Sequence, residues 1–141
     1  MIAYLDSSVI LRLALNEPNP LRAWPDVHHG VTSALAEVEV LRTRDRLRFL
    51  APEIDPQVRA GRREAAFLTL EGFETIDITR VILARGGQPL ATPLGTVDAI
   101  HLVSAMGWHE QYESLILATH DVALTAAARA SGFEVIGEKQ A

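Results

Sequence analysis

Residues 2–8 read Ile2-Ala3-Tyr4-Leu5-Asp6-Ser7-Ser8, an apolar run of strand type that ends on a carboxylate and two serines. A strand apolar throughout is expected to be buried on both faces, as an inner strand of a parallel sheet covered by helices. The run Val9-Ile10-Leu11, with Leu13 and Leu15, continues it as a helix. Asp6 then falls at the carboxyl end of the strand, where open α/β sheets gather their ligands. A plainer reading has Asp6 or Ser7 simply capping the helix. Taken alone, the stretch supports both readings equally, and three later acids bear on the choice.

Working outward, the first helix stops near Asn16-Glu17-Pro18-Asn19-Pro20, whose prolines forbid continuation. A short segment with Leu21 and Trp24 is broken by Pro25, and Gly30-Val31-Thr32-Ser33 reads as a second strand. Ser33 caps a helix from Ala34 to about Leu50, with Leu35, Val38, Leu41 and Leu47 at helical spacing. Another helix, roughly Pro56 to Leu70, carries Val58, Ala65, Phe67 and Leu68, and the two suit an antiparallel hairpin. After Gly72, residues Phe73 to Ile78 alternate as a third strand. A helix through Val81, Ile82 and Leu83 closes at Gly86-Gly87. Pro89 and Pro93 frame a loop, and Thr96 opens a helix from Val97 to Met106. Ser114 to Thr119 form a second strongly apolar strand, Asp121 opens an alanine-rich helix ending at Gly132, and Phe133 to Ile136 make a last strand. Strands alternating with helices imply an α/β fold with a parallel sheet, helices on both faces and right-handed crossovers.

At 141 residues with 48% hydrophobic content, one domain spanning 1–141 is expected, with a sizeable core. No run of about 18 apolar residues and no basic-then-apolar leader is present, so neither a membrane span nor a signal peptide is expected. The absence of cysteine excludes disulfides and thiolate metal sites and fits a reducing cytoplasm. A formal charge of −5, from 18 acids against 13 bases, argues against a generic basic coat for nucleic acid, though not against local basic patches.

Four acids fall at related places. Asp6 follows the first strand, Glu39 lies in the second turn of the helix after the second, Asp98 is in the first turn of its helix, and Asp121 lies just past the Leu115–Ala118 run. Acids favour helix N-termini by about 0.3–1 kcal/mol each, which explains Asp98 and Asp121 separately. It does not explain Glu39, set deeper in its helix. If the four converge, two like charges at 4 Å repel by about 4 kcal/mol at an effective dielectric near 20. Their pKa values then rise, or a cation sits among them. Oxygen ligands without His or Cys suit Mg²⁺ or Mn²⁺. Such a site binds phosphate and activates a water for in-line attack on a phosphodiester.

Four segments carry a family resemblance: YLDSSVILRLALNEP at 4–18, TSALAEVEVLR at 32–42, TVDAIHLVSA at 96–105 and LATHDVALTAAARASGFEVI at 117–136. In order and spacing they resemble the PIN-domain ribonucleases, and most closely the VapC toxins of type II toxin–antitoxin systems. The resemblance implies a three-layer α/β/α domain with a central parallel sheet and an endoribonuclease dependent on Mg²⁺ or Mn²⁺. It also implies a cognate antitoxin partner and a homodimer in the cytoplasm. By position it assigns the metal-holding acids to Asp6, Glu39, Asp98 and Asp121. Thr119 matches the hydroxyl residue supporting the fourth acid, and Ser7 the one beside the first. Glu39 rather than Glu37 is selected, because the family's glutamate falls six residues after the serine matched by Ser33. Gly95 departs from the pattern, since many relatives carry a basic residue there.

Other residues attract plainer readings. His101 is expected to pack or bond beside the site rather than ligate, His28 and His29 read as surface loop, and His120 is given no role. Arg42, Arg44, Arg46 and Arg48 point around a helix rather than along one face, so a solvated surface and a phosphate track are equal readings, as for Arg59, Arg62 and Arg63. Trp24 and Trp108 read as packing residues. A haloacid-dehalogenase-type phosphatase would need aspartate where Ser8 stands, a receiver domain an acidic pair where Ala3-Tyr4-Leu5 stands, and a nucleotide-binding module a glycine-rich loop after the first strand. The remaining alternative is a catalytically silent PIN-fold module that binds protein or RNA. The four acids speak against it.

Overall fold

In the computed structural model, which describes residues 1–138, strand β1 (Ile2–Leu5) passes directly into helix α1 (Ser7–Ala14), with Asp6 as the joint. A 3₁₀ turn at Trp24–Asp26 leads to β2 (His29–Ser33), and the hairpin α2 (Ala34–Leu50) and α3 (Pro56–Glu71) follows. Then come β3 (Glu74–Ile76), α4 (Arg80–Gly86), α5 (Thr96–Gln111), β4 (Ile116–Ala118), α6 (Val122–Ala130) and β5 (Val135–Ile136).

Every strand pair is parallel, and among the described residues the sheet has five strands in the order β3-β2-β1-β4-β5. The chain builds outward from β1 through β2 to β3, then crosses back to place β4 on the other side of β1. Strand order therefore reverses between β1 and β4, the place where open parallel sheets form a crevice at the carboxyl ends of their strands. In β1, Tyr4 is paired with Val31 on one side and Leu117 on the other.

The period of two along β1 divides the core. Ala3 and Leu5 join Val9, Ile10, Ala36, Val40 and Ala66 beneath α1, α2 and α3. Tyr4 faces the opposite way, into Leu102, Ala105, Trp108, Leu117, Leu124 and Ala127 beneath α5 and α6. The result is the three-layer α/β/α arrangement with a central parallel sheet that the sequence implies.

Several local expectations change. Helix α5 runs to Gln111, five residues past Met106. Gly107 does not break it: a Cβ there would stand 3.0 Å from Ile76 Cδ1, so the missing side chain admits β3 against the helix. Along α2 the buried residues are Ala36, Val40 and Arg44, spaced four apart, while Val38 is 56% exposed. The inward stripe is thus Ala36, Val40 and the stem of Arg44 rather than the expected Leu35, Val38, Leu41 and Leu47. The arginine run does not act as a unit. Arg42 and Arg48 both pair with Asp45 at 3.1 Å on the solvated side, whereas Arg44 is buried and its pKa is lowered by that burial and by nearby Arg62. His29 is no loop residue: it opens β2 and pairs with Glu74 of β3 at 2.7 Å.

Candidate functional site

The site forms around Asp6. Its position after β1 is also the N-cap of α1, because one Oδ1 accepts the Val9 N–H at 3.2 Å and the Ser8 hydroxyl at 2.6 Å. Oδ2 accepts the Thr119 hydroxyl at 2.8 Å. The side chain is almost fully buried, and burial raises its pKa against the opposing pull of these bonds and of His101. Capping and site membership are therefore not rivals at this residue. The supporting hydroxyl is that of Ser8, not the expected Ser7. Ser8 Oγ also accepts the His120 N–H at 3.0 Å, which fastens α1 to the loop after β4.

Thr119 ends β4 and serves two acids. While its hydroxyl donates to Asp6, it accepts the N–H of Asp121 at 3.0 Å. Asp121 caps α6 by accepting the Leu124 N–H at 2.8 Å through Oδ1. His120 between them bonds the Gly137 carbonyl through Nδ1 at 2.6 Å, so it holds the β4–α6 turn against the end of β5.

Glu39, in the second turn of α2, reaches over the carboxyl edge of the sheet to α5. Its Oε1 meets Nε2 of His101 at 2.5 Å. The His101 ring is buried, and its Nδ1 lies 2.6 Å from the Tyr4 hydroxyl. Tyr4 was not legible as a site residue, although it shares a strand face with Asp6 two positions on. Its hydroxyl is the polar atom in an otherwise aliphatic run, and that was the available signal. Glu37, on the neighbouring side of α2, is exposed.

Asp98, in the first turn of α5, reports the convergence. Its pKa is raised, first by burial and then by the charges of Asp121, Asp6 and Glu39, while His101 eases it. Asp6, Glu39 and Asp121 thus all lie within electrostatic reach of Asp98, and Thr119 bonds the side chain of Asp6 and the backbone of Asp121. Among the described residues no arginine pairs with any of the four.

The donor set fits a hard divalent cation. It is all carboxylate oxygen, and His101 turns its nearer nitrogen to Glu39. Among the described residues Glu39 Oε2, Asp121 Oδ2 and both Asp98 oxygens make no hydrogen bond to protein and remain for a ligand. The side chains do not stand as a closed cage, since among the described residues no three acid or imidazole groups are grouped tightly enough to surround an ion. A divalent ion that keeps part of its water would be held by these carboxylates directly or through that water.

Comparison with known proteins agrees with this geometry. The PIN domain family matches residues 3–135. Ribonuclease VapC46 of Mycobacterium tuberculosis is 35% identical over 136 residues, covering 94% of this chain and 95% of that protein. Two solved structures share the fold: VapBC2 from Rickettsia felis bound to a DNA fragment from their promoter (TM-score 0.61, 14% identity, 96% and 97% of the two chains) and VapBC-1 from nontypeable Haemophilus influenzae (TM-score 0.60, 17%, 96% and 96%). With the fold, the sheet-edge acids and a relative matched along nearly its whole length, the chain belongs to the PIN domain family, among the VapC ribonucleases.

Proposed function

We propose that this protein is a metal-dependent endoribonuclease, the toxin of a type II toxin–antitoxin pair. One observation carries the reading. Asp98 lies in the combined field of Asp6, Glu39 and Asp121 at the carboxyl edge of the sheet, and no arginine offsets them among the described residues. The similarity to Ribonuclease VapC46 supports RNA as substrate.

Asp6, Glu39 and Asp98 would hold Mg²⁺ or Mn²⁺, directly or through water, and Asp121 would complete the set. When bound, the ion supplies charge stabilisation for the phosphodiester and lowers the pKa of a water. The chain's own residues do the rest. Thr119 keeps Asp6 and Asp121 in fixed relation. Asp121, with Oδ1 engaged by the cap, presents Oδ2 to orient the attacking water and accept its proton. In-line attack on phosphorus then expels one ribose oxygen, which leaves protonated by solvent.

The partner is an antitoxin that lies over α1 and α2 and brings a basic side chain to the acidic edge, where it competes with the cation and the RNA. The VapBC assemblies among the solved structures support an antitoxin as the partner. We place the protein in the cytoplasm as a homodimer; among the described residues no helix is long and apolar enough to cross a membrane. The test of the chemistry is RNA cleavage by rigorously purified protein, with Mg²⁺ or Mn²⁺ and with excess EDTA. Cleavage is expected only with metal, and full cleavage in EDTA rules the mechanism out.

A further inference from the structure

Behind Glu39 a line of polar groups runs into the core. Glu39 Oε1 meets His101 Nε2, and His101 Nδ1 meets the Tyr4 hydroxyl at 2.6 Å. Tyr4 is fully buried and His101 is 1% exposed. The two rings stand edge to face with centroids 5.9 Å apart, so packing as well as bonding restrains the imidazole. Ser104 Oγ, one helical turn further along α5, lies by the Tyr4 hydroxyl and is buried without a hydrogen-bond partner of its own.

The hydrogens along this line follow from what each atom can donate or accept. A carboxylate oxygen only accepts, so His101 Nε2 must carry the hydrogen that lies between it and Glu39. Nδ1 of the same ring faces the Tyr4 hydroxyl, which donates to that nitrogen when it carries no hydrogen and accepts from it when it does. The neighbouring Thr32 hydroxyl donates instead to the Leu5 carbonyl, at 2.6 Å, and does not compete for Nδ1.

A polar chain set among Leu102, Leu117 and Trp108 is a poor way to stabilise a core, since apolar side chains of similar size fill such space without desolvation. Its geometry serves something else. Glu39 is the acid farthest along its helix and, unlike Asp6 and Asp121, is held by no capping bond, so its position depends on what it meets across the gap.

We propose that His101, clamped by Tyr4, is a positioning residue that aims the Glu39 carboxylate at the cation site. This rests on the metal-site reading of the four acids. Hydrogen bonds from outside the ligand set orient ligands, and their removal typically lowers metal affinity by about 10–100-fold.

The experiment is Mn²⁺ binding to the purified protein by calorimetry, alongside thermal melts, for wild type, His101→Leu, His101→Gln and Tyr4→Phe. His101→Leu is expected to weaken Mn²⁺ about 10–100-fold while keeping a cooperative melt. His101→Gln, which can present an amide hydrogen near the Nε2 position, should recover most of that loss. Tyr4→Phe removes one oxygen, leaves the ring packing, and should weaken Mn²⁺ by several-fold. If His101→Leu folds and binds Mn²⁺ like wild type, or if the melts fall while affinity holds in Tyr4→Phe, the positioning role is overturned. Should His101→Leu fail to fold, Tyr4→Phe and His101→Gln decide the matter by the same affinities. Wild type that binds no Mn²⁺ would instead remove the metal-site reading itself, a separable failure.

Discussion

Asp6 and Thr119, 113 residues apart in the chain, are joined by a buried 2.8 Å hydrogen bond, and through Thr119 the first acid is tied to the backbone of the fourth. One hydroxyl thus links the carboxylate at the end of β1 to the backbone that starts α6.

Thr119→Val keeps the shape of the side chain but leaves Asp6 Oδ2 and the Asp121 N–H unpaired. Stranding such buried groups costs about 1–3 kcal/mol. We expect a loss of that size in denaturant melts together with weaker Mn²⁺ binding, and near-complete recovery in Thr119→Ser. A valine variant as stable and as tightly binding as wild type would remove Thr119 from the site.

Asp98→Asn separates a cation site from simple helix capping. Without metal, deleting one of four converging charges should leave stability unchanged or raise it by roughly 1 kcal/mol. The variant should also lose most of the stabilisation that Mg²⁺ or Mn²⁺ confers through binding the native state. A capping role alone predicts a cost of about 0.3–1 kcal/mol with the metal response intact. Melts of both proteins with EDTA and with Mn²⁺ tell the two apart.

The pKa values of Asp6 and Asp98 are raised in the folded chain above the ordinary 3.8, in both cases chiefly by burial. The folded state therefore binds these protons more tightly than the unfolded state does. Their contribution to stability is whole below the unfolded value and is lost as pH rises through the folded values. In metal-stripped protein this contribution should grow as pH falls from neutral toward those raised values. The slope should be flatter in Asp98→Asn. Melting temperatures across that range give the comparison, and identical slopes for the two proteins would contradict the raised value of Asp98.

Two glycines should respond in opposite directions. Gly137 has φ +92°, and a Cβ there would lie 2.7 Å from the Thr119 carbonyl oxygen, so Gly137→Ala should cost about 1–3 kcal/mol or more. Gly61 lies within α3 in open space, with nothing within 4 Å of where a Cβ would stand, and Gly61→Ala should stabilise by roughly 0.5–1 kcal/mol. Urea melts of the two variants check the pair.

Co-expression with the neighbouring open reading frame should yield a stable complex in which RNA cleavage is suppressed. A product that neither binds nor inhibits would remove the antitoxin assignment for that frame.

The alternation of strands and helices was legible because each depends on short-range rules. An all-apolar run reads as an inner strand, and Asp6, Ser33 and Asp121 cap the helices their positions suggest. The acids were legible for a related reason: three of the four stand at strand-to-helix junctions, which sequence locates well. The inward face of α2 was not, because Ala36 is chosen by the closeness of its neighbours rather than by its own hydrophobicity. Nor was the length of α5, which runs to Gln111 rather than ending at Met106.

By itself the sequence determined the element order and the parallel α/β class, since these follow from local pattern and residue type. Only the tertiary structure decided that Ser8 rather than Ser7 supports Asp6, that Thr119 bridges two acids, and that His101 and Tyr4 stand behind Glu39. Those contacts join residues up to 113 positions apart. Their partners are chosen by the reversal of strand order between β1 and β4 and by the meeting of Glu39 of α2 with His101 of α5 from opposite faces of the sheet, and no local periodicity records which side chains such a meeting brings within hydrogen-bond reach.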